Sequence, residues 1–318
     1  MHLKLAIKKE KIKTLMLPIA MIGGAVFYKW LGYLTFLSPF LIFMMLFITY
    51  CKLEIRDFKP SKEHLILLGV QIVLSLLIYF AMNGIEHTVA EGVFICVFIP
   101  TATAAPVITS MLGGSISFVA TYSLLCNAFV ALFGPFIFAA VGDNSDMTLL
   151  QSTLIICKKV FPLLILPLVA AMGLKYFVPR LHSKVVGHQQ LSFYLWAVSL
   201  FIIVGSCVSF TINNWNINQL PAILGMVAAA FVVCLLQFFL GRKIGAKFGD
   251  KISGGQSLGQ KNTVLAVWIA MTYMNPISSL APASYIAWQN IVNSAQLIRK
   301  SKRHEKKKEE IELTATNH

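Results

Sequence analysis

Residues 65–82 read LILLGVQIVLSLLIYFAM, eighteen positions from Leu65 to Met82 without a charged side chain. A block of about 18 such residues has the length of a membrane span. In lipid the backbone must satisfy its own hydrogen bonds, which leaves helices or closed barrels. Barrel strands alternate polar and apolar residues over about ten positions, and this run does not. Outward from it, similar blocks recur, Ile223 to Leu240 among them, and the pattern predicts helical spans near 15–31, 34–51, 64–83, 87–110, 115–141, 159–177, 191–212, 219–240, 254–274 and 277–298. The whole chain agrees: 57% of its residues are hydrophobic, 13% are charged and its mean hydropathy is +0.73, where a soluble domain carries roughly 25% charged residues. The expected class is an all-α integral membrane protein of ten transmembrane helices.

The formal charge of +14 lies between the apolar blocks, as a topology signal, and is not read as a nucleic-acid surface. With ten spans both termini share a side, and 23 of the 27 Lys and Arg residues fall there. The positive-inside rule makes that side cytoplasmic, in the cytoplasmic membrane. Lys29, Lys158 and Lys159 fall on the other side, and Lys261 alone falls inside a span. The basic start and the run Leu15 to Phe27 imitate a signal peptide, but Tyr28, Lys29 and Trp30 replace the small residues of a cleavage site. The run is therefore taken as the first span. The six cysteines have no metal or redox spacing and read as small apolar residues.

Five spans precede the loop around Gly142 to Asp146 and five follow it. An odd number per half reverses the second half's orientation, an inverted repeat. The expected division is an N-terminal segment 1–14, repeats 15–141 and 142–298, and a basic tail 299–318. The fourth span of each half is interrupted, by Pro100-Thr101-Ala102-Thr103-Ala104-Ala105-Pro106 in the first and by Ser253 through Thr263 in the second. Matching interruptions point to a transporter's binding site. Each proline removes an amide and frees a carbonyl four residues upstream, and such groups are tolerable only inside protein or beside a wet cavity. Thr101, Thr103 and Thr109 add hydroxyls at the first break, next to Pro106.

The second break holds Lys261 with Gln256, Ser257, Gln260 and Asn262. A lysine at mid-span costs about 2.5 to 3.5 kcal/mol on insertion scales and marks a functional position. It is expected to supply a fixed or titrating positive charge, unless it snorkels to the interface. Glu86 and Glu91 fall toward the outer end of the fourth span, away from it. Gln71, Asn127, Gln237, Gln289, Asn290 and Asn293 either line the cavity or bond neighbouring helices. Gln71 and Asn127, in spans beside a broken one, join the candidate site. No paired carboxylates at depth, HExxH or nucleophile elbow suggests an enzyme.

From about Leu15 to Leu297 the chain resembles the bile acid:sodium symporter family. Its first crossing segment, P-G-G-T-A-S-N-V-x-T, is matched by Pro100, Thr103, Ala104, Val107 and Thr109, with Ala105 and Pro106 where serine and asparagine would stand. Its second, E-x-G-x-Q-N-x-x-L-A, is matched by Gly259, Asn262, Leu265 and Ala266; Ser257 replaces the acidic residue and Lys261 the glutamine. The resemblance implies crossing fourth and ninth spans, core and panel bundles that rock against each other, and sodium sites near Gln71 and Ser123. With the carboxylate replaced and a lysine added, sodium is expected to bind poorly, since like charges a few ångströms apart repel by several kcal/mol at intermediate dielectric. The expected function is alternating-access transport of a small organic anion, bile-acid-like or another carboxylate, without a cofactor. A cation/proton antiporter using Lys261 and a non-transporting sensor or scaffold are the alternatives.

Overall fold

The computed structural model of the chain describes residues 16, 19–52, 59–102, 105–142, 148–188, 190–213 and 217–316. The expected N-terminal segment 1–14, most of the loop between the halves and Thr103 lie outside the described residues. Within them the protein is helical, with one isolated bridge of extended backbone. After a helical stretch at 19–26 come α1 (Tyr28–Leu31), α2 (Ser38–Cys51), α3 (Lys62–Asn83), α4 (His87–Phe98), α5 (Ala105–Leu112) and α6 (Ile116–Val141). Then follow α7 (Leu149–Phe177), α8 (Pro179–Gly187), α9 (Gln190–Asn213), α10 (Leu220–Lys247), α11 (Lys251–Gly259), α12 (Thr263–Tyr273) and α13 (Leu280–Thr316).

Five stretches among the described residues are long and apolar enough to cross a membrane: Tyr28–Cys51, Lys62–Asn83, Ile116–Val141, Ile156–Phe177 and Leu220–Lys247. Within the first, the chain passes through the 3-10 turn Gly32–Leu37. Thr35 in this turn bonds Ser206 of α9. Gly24 before the turn and Met45 after it lie beside earlier residues of α9, at Phe201 and Ser199. The chain therefore folds back on itself at this turn. Three boundaries differ most from expectation: α10 runs to Lys247 and not to 240, α13 runs to Thr316 through the expected tail, and the third lies at the start of α7. α7 starts at Leu149, ten residues before the span predicted at 159, because Thr148 and Gln151 form a capping box. Lys158 and Lys159 consequently lie within a helix and not in a loop.

The shorter helices form the interior. Every residue of α4 from Val89 to Phe98 is buried, as is α12 from Thr263 to Ala270. The longer helices surround them and turn apolar side chains outward: Leu77 and Phe80 on α3 and Phe239 on α10 are all more than 60% exposed. This order of layers suits a bilayer, where interrupted backbone is tolerated only when protein encloses it. α10 and α11 press together through glycine. A Cβ on Gly254 would strike the carbonyl oxygen of Gly241, and one on Gly245 that of Asp250.

Candidate functional site

α4 ends at Phe98 because Pro100 holds Ile99 extended, at φ −57° and ψ 147°. Pro100 also lacks the amide that would have bonded the Cys96 carbonyl, and Gln237 Nε2 donates to that oxygen instead, at 3.4 Å. Gln71 Nε2 donates to the next free carbonyls, Phe98 at 2.7 Å and Ile99 at 3.3 Å. In the other half α11 ends at Gly259, Gln260 is extended, and Tyr285 OH donates to the Gly259 carbonyl at 2.9 Å. α12 begins where Asn262 caps it, its Oδ1 accepting from Leu265 N.

Between these ends and restarts the two breaks pair with each other, antiparallel. Ala102 N donates to Gln260 O and Asn262 N to Pro100 O, both at 2.9 Å, which sets Thr101 opposite Lys261. Each central side chain then reaches across. Thr101 Oγ1 donates to the Ser257 carbonyl near the end of α11, at 2.7 Å. Lys261 Nζ donates to the Ile99 carbonyl at the end of α4, at 3.2 Å. A helix C-terminus carries partial negative charge, and the Lys261 amine sits at that end of α4. The Lys261 amide is held by Gln289 Oε1 at 2.9 Å.

Lys261 is 1% exposed, which removes the expectation that it could snorkel to the interface. No carboxylate among the described residues pairs with it. Glu91, although buried, accepts from Asn275 N at 3.1 Å, two turns before the break. No group of His, Cys, Asp and Glu that could hold a metal ion occurs among the described residues.

Most residues singled out from the sequence meet here. Ser123 Oγ lies 3.4 Å from the Thr101 carbonyl, and Asn127 Nδ2 bonds the Ser123 carbonyl at 2.7 Å. Gln71, Thr101, Ser257, Gln260, Lys261 and Asn262 are joined through the bonds above. Ser257 Oγ, Gln260 Nε2 and Asn127 Oδ1 are buried without a hydrogen-bond partner among the described residues. Two residues lie apart. Thr109 bonds back to Ala105 O of its own helix, and Pro106 is a half-buried residue in the first turn of α5. Neither protein-family models nor curated proteins match this chain.

Sequence reasoning missed Tyr122 and Tyr285. Tyr122 OH donates to Gln71 Oε1 at 2.8 Å, and Gln237 Nε2 donates to Tyr285 OH at 2.9 Å. Each half thus sets a Gln–Tyr pair at the end of a broken helix. A signal was present: each tyrosine precedes an asparagine by five residues, Asn127 and Asn290, and both asparagines bond the carbonyl four residues back.

Proposed function

We propose that this chain is a secondary transporter that moves a small organic anion across the cytoplasmic membrane by alternating access, with Lys261 as the positive charge that faces the substrate. The carrying observation is the pairing of two broken helices around a buried lysine that has no acidic partner among the described residues. A lone buried charge is costly, and an anion entering beside it recovers part of that cost. Ser257 Oγ and Gln260 Nε2 add buried donors without acceptors among the described residues, suited to a carboxylate.

The architecture in this reading is ten spans in two inverted five-helix repeats, termini cytoplasmic, with the breaks crossing on the repeat axis. Supporting it are the antiparallel bridge, in which Thr101 and Lys261 exchange places under a two-fold rotation, and the matched pairs Gln71–Tyr122 and Gln237–Tyr285. The bile acid:sodium symporter family is the proposed affiliation. Sodium coupling is not part of the proposal, because the lysine already supplies a cation to the end of α4.

The test is flux in proteoliposomes, with taurocholate and benzoate as probe anions and sodium or potassium as the only cation. Uptake should be equal in the two salts and absent in Lys261→Met. Uptake that requires sodium would return the protein to sodium symport. Proton release on adding sodium or potassium, read by an internal pH dye, would make it an antiporter. A protein inert in both assays would be a sensor or scaffold.

A further inference from the structure

Buried amide side chains continue from the second break along α13. Asn293 Nδ2 donates to Gln260 Oε1, Gln256 Nε2 donates to Asn293 Oδ1 at 3.0 Å and to Gln296 Oε1 at 3.3 Å, and Arg242 Nη2 donates to Gln296 Oε1 at 3.0 Å. Asn293 and Gln296 lie on one face of α13, three residues apart. The row ends at Arg242, whose side chain crosses Gly255, where a Cβ would meet Arg242 Cγ at 2.6 Å. That glycine keeps the passage for the arginine stem open.

Arg242 is partly buried and poorly matched. A guanidinium has five N–H donors, and its bond to Gln296 is the one made among the described residues. The neighbouring charge it feels is another guanidinium, Arg299. No acidic residue occurs from Met147 to Gly249. Asp250, next in the chain, is committed to the amides of Ser115, Ile252 and Ser253 and to the Ser253 hydroxyl. Arg299 follows Gln296 by three residues on α13 and so lies on the helix face that Arg242 meets. No carboxylate among the described residues bonds either guanidinium, and an anion between the two would offset their repulsion. The planar fork of arginine fits the two oxygens of a carboxylate or phosphate.

We propose that Arg242 and Arg299 form an oxyanion-binding site, for a carboxylate or phosphate group, at the mouth of the buried amide row that leads to Lys261. The site does not depend on the transport reading, since a headgroup phosphate would satisfy it as well as a free anion.

The experiment is thermal unfolding of the full chain in an uncharged detergent at constant ionic strength, titrating potassium phosphate and potassium benzoate against potassium chloride. A second arm uses nanodiscs of phosphatidylcholine with or without phosphatidylglycerol. Phosphate or benzoate should raise the midpoint saturably, with the apparent Kd weakened about tenfold by Arg242→Gln. Arg299→Gln, at an exposed position that cannot disturb the interior, should weaken it similarly, and Arg242→Lys less. An arginine-dependent rise with phosphatidylglycerol that also removes the phosphate response would support the site and identify its oxyanion as a lipid headgroup. Responses to phosphate, benzoate and phosphatidylglycerol that are all unchanged in Arg242→Gln and Arg299→Gln would overturn the proposal.

Discussion

At the first break Pro100 ends α4, and Pro106 stands in the first turn of the helix that follows; at the second no proline occurs, and Gly259, Gln260 and Asn262 end one helix and start the next. Both breaks expose helix-end carbonyls inside the protein, and both have a glutamine and a tyrosine from outer helices at that end. They differ in the residue at the centre. Thr101 contributes a neutral hydroxyl to the opposite helix end, and Lys261 contributes an amine. The shared parts therefore hold the paired breaks together, and on the proposed transport reading the chemical asymmetry, one amine side chain, is where selectivity for an anion would reside.

The largest expected effect on stability separates a close helix contact from an open helix face. α11 approaches α10 so closely that Gly254→Ala would drive a Cβ into the Gly241 carbonyl, with backbone on both sides and nothing flexible to yield. Overpacking of this kind costs about 1–3 kcal/mol or more, and a substantial fall in thermal midpoint is expected. In the first half Gly69 of α3 has open space where a Cβ would go. Gly69→Ala should raise the midpoint by an amount equivalent to about 0.5–1 kcal/mol. Equal effects at the two positions would show that the α10–α11 contact is no tighter than the open face of α3.

Lys261→Met sharpens the asymmetry at the centre. The substitution removes a lone buried amine, and the Ile99 carbonyl keeps its bond from Gln71. Burying an amine without an acidic partner is costly, so the variant should melt higher than the parent, and on the proposed reading it loses anion flux. A variant that melts lower would make Lys261 a structural residue. Gln71→Leu tests the scaffold that the breaks share. It strips the Phe98 carbonyl and the Tyr122 hydroxyl of partners, and each orphaned buried group costs about 1–3 kcal/mol. A lower midpoint is expected whether or not Lys261 is present, which a double variant would check.

How much of this could be read before folding depends on the range of the interaction. The apolar blocks identified a helical membrane-type protein, because burial in lipid is written residue by residue. Pro100 located the end of α4 through its missing amide, whereas the second interruption, expected over Ser253 through Thr263, is helical as far as Gly259 and is broken over Gln260 to Asn262, where Asn262 caps the next helix. The start of α7 was not legible, since Lys158-Lys159 resembled a loop and the capping pair Thr148–Gln151 lay ten residues earlier. The Gln–Tyr pairs span 51 and 48 residues, and no periodicity reports a contact over that distance. The placement of Thr101 against Lys261 likewise exists only once the two halves meet.

The smallest expected effect lies where the two halves meet outside the spans. Asp250 caps α11 in the second half and also accepts from Ser115 N, at the start of α6 in the first. Burial raises its pKa, but hydrogen bonds from the Ser253 hydroxyl and from the Ser253, Ser115 and Ile252 amides outweigh that and hold it below the usual aspartate value. A carboxyl more acidic in the folded than in the unfolded protein stabilises the fold above the unfolded pKa, about 3.9, and that contribution is lost as pH falls through the folded value. The thermal midpoint should therefore be insensitive to Asp250 titration between pH 5 and 8 and fall below about pH 4. Asp250→Asn, which can still cap the helix, should remove the Asp250 part of that acid dependence at small cost near neutrality. An acid limb of the same size in the variant would place the responsible carboxylate elsewhere and leave the Ser115 contact as a neutral junction between the halves.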